Sequence, residues 1–467
     1  MLFEQFEEKG LSHYSYAVGC PGAGQMAIVD PRRDIDIYLD FALRQGMQIS
    51  HVLETHIHAD YASGARELAQ RSGAKLMLSA YDEGEVFEVA FPHQRLRDGD
   101  SITLGAVRIQ ALHTPGHTPE HLSFLAYDTT RSPDVPEMML SGDFLFVGSL
   151  GRPDLLGEEA KLALAKRLFC SVQEKLAGLP DGLEVYPAHG SGSMCGAGMS
   201  GRPHSTLGFE RVANPYLAAG LSEQDFVERI LSNLPPFPPY YRRMKKVNSD
   251  GPPILNGLPG DNPLEVEDFR QRIQSGAAVI DLRNALAFGA GHIPASFGIG
   301  YGGSISQWAS WLVPYDTPLL LVTAHEQMHN EVARALVRVG LDPVQGYLKG
   351  GIEAWMMAGH PLRSLPQIDP GQLARRREES NLQVVDVRSQ AEWDSGHIAG
   401  AIHVMAGQLA ENLDRIPDSG APLAVICASG YRSTAAASVL EGHGFKKLVN
   451  AAGGMTAWQK AGLPVER

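Results

Sequence analysis

The stretch LETHIHADYASG, residues 53–64, sets His56, His58 and Asp60 within five positions of one another, directly after the strand-like run ISHVL. A His-x-His-x-Asp cluster where a strand gives way to a loop offers three metal-ligating groups on a rigid support. Histidine at the next position would complete a second metal site, but Tyr61 stands there. The stretch is therefore either a damaged two-metal site or an intact site for a different metal.

Further ligand-type residues follow in order. HTPGHTPEH supplies His113, His117 and His121, LSGDFLF supplies Asp143 after the apolar MML, and VYPAHG supplies His189 at the end of an apolar run. Each group falls at a strand-to-loop transition, a pattern that scattered histidines do not produce. Isolated histidines such as His13, His51 and His93 read as core or surface side chains. Around the motifs, YSYAVGC and QMAIVD read as strands about a turn, and DIDIYLDFALRQG as a helix stopped at Gly46. ISHVLETH reads as a strand, SGARELAQRSG as a helix and AKLMLSA as a strand.

The 467 residues carry 40 basic against 53 acidic side chains, a net charge of -13. This acidity, with no long Lys/Arg run, argues against nucleic acid and anionic membrane surfaces as partners. No apolar run approaches the roughly 20 residues that span a bilayer. The start, MLFEQFEEKG, lacks the apolar centre of a signal peptide. Four cysteines make no disulfide framework and read as free thiols in a reducing cytoplasm, so the expected location is cytoplasmic.

Residues 236–261, rich in Pro and Gly, read as a linker after a first domain of residues 1–235. Beyond it the chain repeats once. AAVIDLRNALAFGAGHIPAS (277–296) matches LQVVDVRSQAEWDSGHIAGA (382–401), and KGGIEAWMMAGHPL (349–362) matches AGGMTAWQKAGLPV (452–465). Two copies of that length with strand–helix alternation predict two tandem α/β domains, 262–365 and 366–467.

Cys427 opens CASGYRS after the apolar PLAVI and before a helical stretch. A thiol there faces the unpaired N–H groups and positive end of a helix, which stabilise an anionic sulfur, and Arg432 adds a cation. In the first copy Thr323 and Met328 occupy the matching positions, so nucleophile and cation are both absent.

In their order, the N-terminal motifs resemble the metallo-β-lactamase superfamily. The resemblance covers residues 1–235 and implies an αββα sandwich with metal bound at one edge. HADY, HTPGH, SGDFLFVGSLGRPDL and YPAHGSGS are similar to the persulfide dioxygenase branch. That similarity implies one Fe(II) per domain, held by His56, His117 and Asp143, with His58 as an orienting group. Two imidazoles and a carboxylate with open positions suit non-haem Fe(II), and three ligands plus solvent also suit catalytic Zn(II). Arg152, nine residues past Asp143, is a candidate for holding a substrate carboxylate, with an ion pair to Asp154 as the competing reading.

Cys-x-x-Gly-x-Arg-Ser together with DVR, GHI and GGMTAW resembles the rhodanese family. The likeness implies parallel-sheet domains and a sulfane sulfur carried on Cys427, with Arg432 beside it and Ser429, Gly430 and Tyr431 contacting substrate. Residues 262–365 then resemble an inactive rhodanese copy. Cys195, in the Gly-rich HGSGSMCGAG, lies in an insertion similar to those where fusions of this kind place a persulfide-accepting thiol, with a bystander thiol as the competing reading. Cys20 and Cys170 read as packed, and His325 and His329 as exposed loop or helix-start residues.

Taken together, the resemblances imply oxidation of a low-molecular-weight thiol persulfide by O2 to sulfite, coupled to sulfur transfer giving thiosulfate. They also imply a homo-oligomer, dimer or tetramer. The alternatives are a Zn(II) thioester hydrolase similar to glyoxalase II, with regulatory rhodanese domains, and a non-enzymatic persulfide relay or sensor.

Overall fold

The computed structural model describes residues 1–232, 234, 237–380, 382–417 and 420–467. The chain divides into two compact units, residues 1–256 with 337–340, and 257–336 with 341–467.

The first unit packs two six-stranded sheets face to face. One sheet runs in sequence order: β1 (Leu2–Glu8), β2 (His13–Cys20), β3 (Gln25–Val29), β4 (Gln48–Leu53), β5 (Lys75–Ser79) and β6 (Gln94–Leu96). The other holds β7 (Ser101–Leu104), β8 (Val107–His113), β9 (Leu122–Asp128) and β10 (Met138–Gly142). A short hairpin, β11 (Leu145–Phe146) and β12 (Ser149–Leu150), precedes β13 (Glu184–Pro187) and β14 (Ser205–Thr206), which complete the second sheet beside β10.

Side chains alternate along these strands, so each sheet has an inner and an outer apolar face. Val18, Val29 and Leu53 of the first sheet meet Ile109, Phe124 and Leu140 of the second in the inner core. Outside the first sheet, Met26, Ile28 and Val52 are covered by Tyr38 and Phe41 of helix Asp36–Gln45 and Leu68 of helix Ala65–Ser72. Outside the second, Tyr127 and Met139 are covered by Leu168 and Val172 of helix Glu158–Lys175 and Phe226 of helix Glu223–Ser232. The layering is αββα, as the resemblance implies. Burial on both faces is why β2 and β9 are buried throughout.

Within the stretch that reads as a Pro/Gly linker, Tyr240–Asp250 forms a helix that belongs to this first unit. Its six buried residues, among them Tyr240, Tyr241, Met244 and Lys245, give it an inward face that Pro and Gly counting does not reveal.

The second unit holds two five-stranded sheets, parallel throughout. The first orders β15 (Pro263–Leu264), β19 (Val344–Leu348), β18 (Leu319–Val322), β16 (Ala278–Asp281) and β17 (Phe297–Gly298). The second orders β20 (Gln367–Ile368), β24 (Leu448–Ala451), β23 (Leu423–Ile426), β21 (Gln383–Asp386) and β22 (Ile402–His403). The permutation is the same in both, so the sequence repeat is a repeat of fold. Phe288 of the first copy is buried in the core cluster of the second, with Trp308 and Leu312 packed against it.

Candidate functional site

The loops leaving β4 and β8 and the end of β10 bring His56, His117 and Asp143 together. Their ligand atoms lie within 4.8 Å of one another. Asp143 Oδ2 is 3.8 Å from His56 Nε2 and 3.4 Å from His117 Nε2. All three residues are buried, and none of these three atoms has a hydrogen-bond partner. Three converging, orphaned acceptor atoms would be costly in a core unless a cation completes them, so the residues fit a metal ion.

The opposite atoms of the same side chains are all engaged. Thr55 Oγ1 donates to Asp30 Oδ2 at 2.9 Å, which leaves it to accept from His56 Nδ1 at 2.9 Å. His117 Nδ1 donates to the Arg152 carbonyl at 2.8 Å. Asp143 Oδ1 accepts from His189 Nδ1 at 2.7 Å. Each imidazole thus presents an Nε2 lone pair to the centre. Burial, and then the neighbouring His58 and His117, hold the His56 pKa well below the usual histidine value; burial and then Lys245 do so for His117. Gly142 has φ +55, and a Cβ there would strike His121 Nε2, the atom that accepts from the Asp143 N–H at 3.0 Å. That close approach explains the glycine in SGD.

The second-site positions are arranged differently. Tyr61, 1% exposed, turns its hydroxyl to the Asp30 carbonyl at 3.3 Å, and His58 Nε2 faces Asp30 Oδ1 at 3.1 Å. Neither side chain is among the ligand-type groups that converge. His189 lies between two carboxylates, Asp143 at 2.7 Å and Asp60 at 2.8 Å. Burial alone would depress its pKa, but Asp143 and Asp60 together lift it well above the usual value. Asp60, His189 and Cys195 form a second group with ligand atoms within 4.8 Å. Burial, then Asp60 and Asp143, push the Cys195 thiol well up, so it rests as a neutral thiol.

Helix Tyr240–Asp250 lies against this loop. Asn248 Nδ2 donates to the carbonyls of His58 at 2.8 Å and Tyr61 at 2.7 Å, and its Oδ1 accepts from the Ser63 N–H at 2.8 Å. Tyr240 donates to the Asp60 carbonyl at 3.3 Å, and the Tyr241 hydroxyl lies 3.9 Å from Cys195 Sγ. Lys245 Nζ donates to the Ile57 carbonyl at 2.7 Å.

In the second unit, Cys427 ends β23 and is fully buried. Its Sγ accepts the Gly430 N–H at 3.1 Å and the Ser433 hydroxyl at 3.4 Å, at the start of helix Tyr431–Gly442. Arg432 is held by both Glu392 oxygens, at 2.7 and 2.5 Å, and Glu392 also receives the Ser389 N–H at 3.0 Å. Burial opposes ionisation of Glu392, yet Arg432 and Ser389 bring its pKa down to about 2. Gly454, at φ +55, lets its chain pass against the Cys427 and Ala428 carbonyls, where a Cβ would collide. The Met455 and Thr456 N–H groups then bind those carbonyls at 2.8 and 3.0 Å, fixing the loop from behind. Tyr431 donates to the Gly300 carbonyl of the first copy at 3.0 Å.

Residues 9–189 match the metallo-beta-lactamase superfamily, and residues 265–358 and 369–461 match the rhodanese-like domain. A crystallised metallo-beta-lactamase from Staphylococcus aureus subsp. aureus COL is 33% identical with a TM-score of 0.68, and the match covers 74% of this chain and 99% of that one. The chain belongs to the metallo-β-lactamase superfamily and carries two tandem rhodanese-like domains. Persulfide dioxygenase ETHE1, mitochondrial, of Homo sapiens is 28% identical over 240 residues, 50% of this chain and 82% of that protein. Hydroxyacylglutathione hydrolase of a Polaromonas species is 32% identical over 178 residues, 38% of this chain and 62% of that protein. The chain spans about half (51%) of the length of another relative, the beta-lactamase hydrolase-like protein of Agrobacterium fabrum.

Against this frame of metallo-β-lactamase and rhodanese-like folds, the sequence candidates sort clearly. His56, His117 and Asp143 come together, as do Cys427 and Arg432 through the loop. Cys195 is brought to the Asp60–His189 side of the metal group. Arg152 makes the ion pair of the competing reading: its guanidinium grips both Asp154 oxygens at 2.7 and 2.8 Å and the Met194 carbonyl at 3.0 Å. Its main-chain carbonyl orients His117. Of the substrate-contact candidates in the thiol loop, Ser429 is exposed, Gly430 supplies its N–H to Cys427, and Tyr431 faces Gly300.

Cys170 is exposed rather than core, whereas Cys20 is buried as expected. His329, expected to be exposed, is 8% exposed, stacked on Tyr347 and 3.0 Å from Asp261. His13 is buried with its ring 4.1 Å from Tyr61. Sequence reasoning missed Glu392 and Asn248, and reads Lys245 only as a linker cation that could serve a nucleotide-bearing thiol. Only Glu392 left a signal, the S-x-x-E pattern of a capping box at Ser389–Glu392.

Proposed function

We propose that this chain is a persulfide dioxygenase joined to a sulfurtransferase, acting on a small thiol persulfide. The observation that carries the reading is the one-metal ligand set, His56, His117 and Asp143, with Tyr61 turned to Asp30 and His189 held between two carboxylates. The human relative named a persulfide dioxygenase and the two rhodanese-like domains support it. Fe(II), when bound there, supplies the electrons and open coordination positions that O2 chemistry needs.

The chain's own residues do the rest. His56 and His117 are kept neutral and aimed by Thr55 and the Arg152 carbonyl, and Asp143 is aimed by His189. The balanced oxidation is RSSH + O2 + H2O giving RSH, sulfite and two protons. In the transfer, the Cys427 thiolate takes the outer sulfur of a second RSSH and releases RSH. Sulfite then attacks the outer sulfur of the Cys427 persulfide, giving thiosulfate and restoring the thiolate. Gly430 and the helix start stabilise the anionic sulfur, and Arg432 supplies positive charge toward sulfite. On this reading Cys195, beside Asp60 and His189, takes the outer sulfur of RSSH, and its thiol proton leaves with the departing sulfur as RSH. Release of sulfite on the same chain raises its local concentration for the second reaction. The expected setting is a cytoplasmic homo-oligomer.

The test is product analysis with glutathione persulfide. Cys427→Ser should keep O2 consumption and release sulfite where the unmodified chain releases thiosulfate. Unchanged thiosulfate output would end the coupled scheme.

A second reading, a thioester hydrolase with Zn(II), is favoured by one observation, the Asp60–His189–Cys195 group, together with the hydroxyacylglutathione hydrolase relative. Metal identity separates the two readings: on the hydrolase reading the Zn(II)-loaded protein cleaves a glutathione thioester, and on the dioxygenase reading only the Fe(II)-loaded protein consumes O2 with a persulfide.

A further inference from the structure

Lys245 is 2% exposed, and its ammonium makes one hydrogen bond, to the Ile57 carbonyl between His56 and His58. Among the described residues no carboxylate lies within 4 Å of Nζ; its other neighbour is the Phe87 ring, with Nζ 5.8 Å from the centroid. Two of the three N–H bonds therefore have no protein acceptor. Glu120, Asp143 and Asp60 act on it electrostatically, but none makes a direct ion pair with it, and an ammonium buried with unfilled hydrogen bonds is among the costliest groups a core can hold. Anchoring the helix does not require it, because Asn248 already makes three hydrogen bonds to the same loop. A neutral donor would serve Ile57 as well.

The ammonium is also close to the metal group, because the Ile57 carbonyl it binds follows His56 directly in the loop.

We propose that Lys245 is a positioning residue for the anionic sulfur end of the substrate, and for the sulfite formed from it, beside the His56–His117–Asp143 centre. The proposal rests on the persulfide reading for the identity of the anion. It goes beyond that reading by assigning the cation that recognises it. Persulfide anions and sulfite share what an ammonium reads, compact negative charge that accepts hydrogen bonds. The two free N–H bonds match that need.

The probe is sulfite, titrated calorimetrically into the full-length, metal-loaded protein after dithiothreitol has stripped any sulfane sulfur from its cysteines. Lys245→Met should weaken sulfite binding at least about tenfold, the scale of one charged hydrogen bond, with metal content and the thermal transition retained. Lys245→Arg should hold the affinity within about threefold. In turnover, Lys245→Met should raise KM for glutathione persulfide more than it lowers kcat. Unchanged sulfite affinity in metal-replete Lys245→Met overturns the proposal. If Lys245→Met does not hold its metal, Lys245→Gln is titrated in its place, and full affinity there overturns it equally. Sulfite binding needs no turnover, so a protein that oxidises no persulfide yet loses sulfite on Lys245→Met would refute the functional reading and leave the anion site standing.

Discussion

The two rhodanese-like copies share a scaffold and differ in their loops. In each, an Asp-x-Arg brace closes the same way: Arg283 Nε reaches Asp281 at 2.9 Å and Arg388 Nε reaches Asp386 at 3.0 Å. The second nitrogen then binds the carbonyl of Gly291 or Gly396, at 2.6 and 2.9 Å. Both copies end with a Trp indole donating to a proline carbonyl six residues on, Trp355 to Pro361 at 3.1 Å and Trp458 to Pro464 at 2.9 Å. The DVR, GHI and GGxxAW signatures therefore build the fold. The copies differ at three positions of the thiol loop and its support, Cys427, Arg432 and Glu392, which in the first copy are Thr323, Met328 and Ala287. Thiol, cation and the carboxylate that holds the cation are missing together, while the brace around them stays.

This division can be broken experimentally. Cys427→Ser should lower sulfane-sulfur transfer from thiosulfate to cyanide by about three orders of magnitude or more, while Thr323→Ser should leave it unchanged. Residual transfer near the parent level in Cys427→Ser would mean that the first copy also works. Glu392→Gln leaves Arg432 without its bidentate partner, and transfer should fall about tenfold with the thermal transition little moved. Thr323→Cys combined with Met328→Arg and Ala287→Glu in a Cys427→Ser background should restore a small but measurable rate, because the scaffold is already present. The mildest change is Tyr431→Phe, which loses the hydrogen bond to Gly300; a rate loss of about twofold or less is expected.

Acidity gives an independent check on the Arg432–Glu392 pair. The folded pKa of Glu392, about 2, lies below its usual value near 4.5. The pair's contribution is then complete above roughly pH 4.5 and is lost as pH falls toward 2. Arg432 remains aimed across the neutral range, so a transfer-rate profile between pH 5 and 8 should be the same in shape for the parent and for Glu392→Asp.

His56, His117 and Asp143 are legible as ligand-type residues because each sits where a strand ends, and strand ends are fixed by local sequence, but it is the family resemblance that singles them out from His58, Asp60, His113, His121 and His189. The duplication was equally readable, since both copies keep the Asp-x-Arg and Trp signatures at matched offsets. The helix Tyr240–Asp250 could not be read. Its flanking prolines signal a break, and its reason for folding is the distant main chain of residues 57–63, to which Asn248 and Lys245 bind. For Arg152 the sequence leaves two readings, a substrate carboxylate or Asp154, and in the fold Asp154 and Met194 close around the guanidinium. Glu392 was hidden as an ordinary capping residue until Arg432 reached it through the fold.

The decisive measurement is oxygen uptake by the full-length protein loaded with Fe(II), compared with the same protein loaded with Zn(II), on addition of glutathione persulfide. Rapid uptake with iron alone, with one metal per chain and one O2 consumed per sulfite equivalent formed, is the expected result. No uptake from a protein that demonstrably holds its iron would contradict the oxidative centre and turn attention to hydrolysis of thioesters.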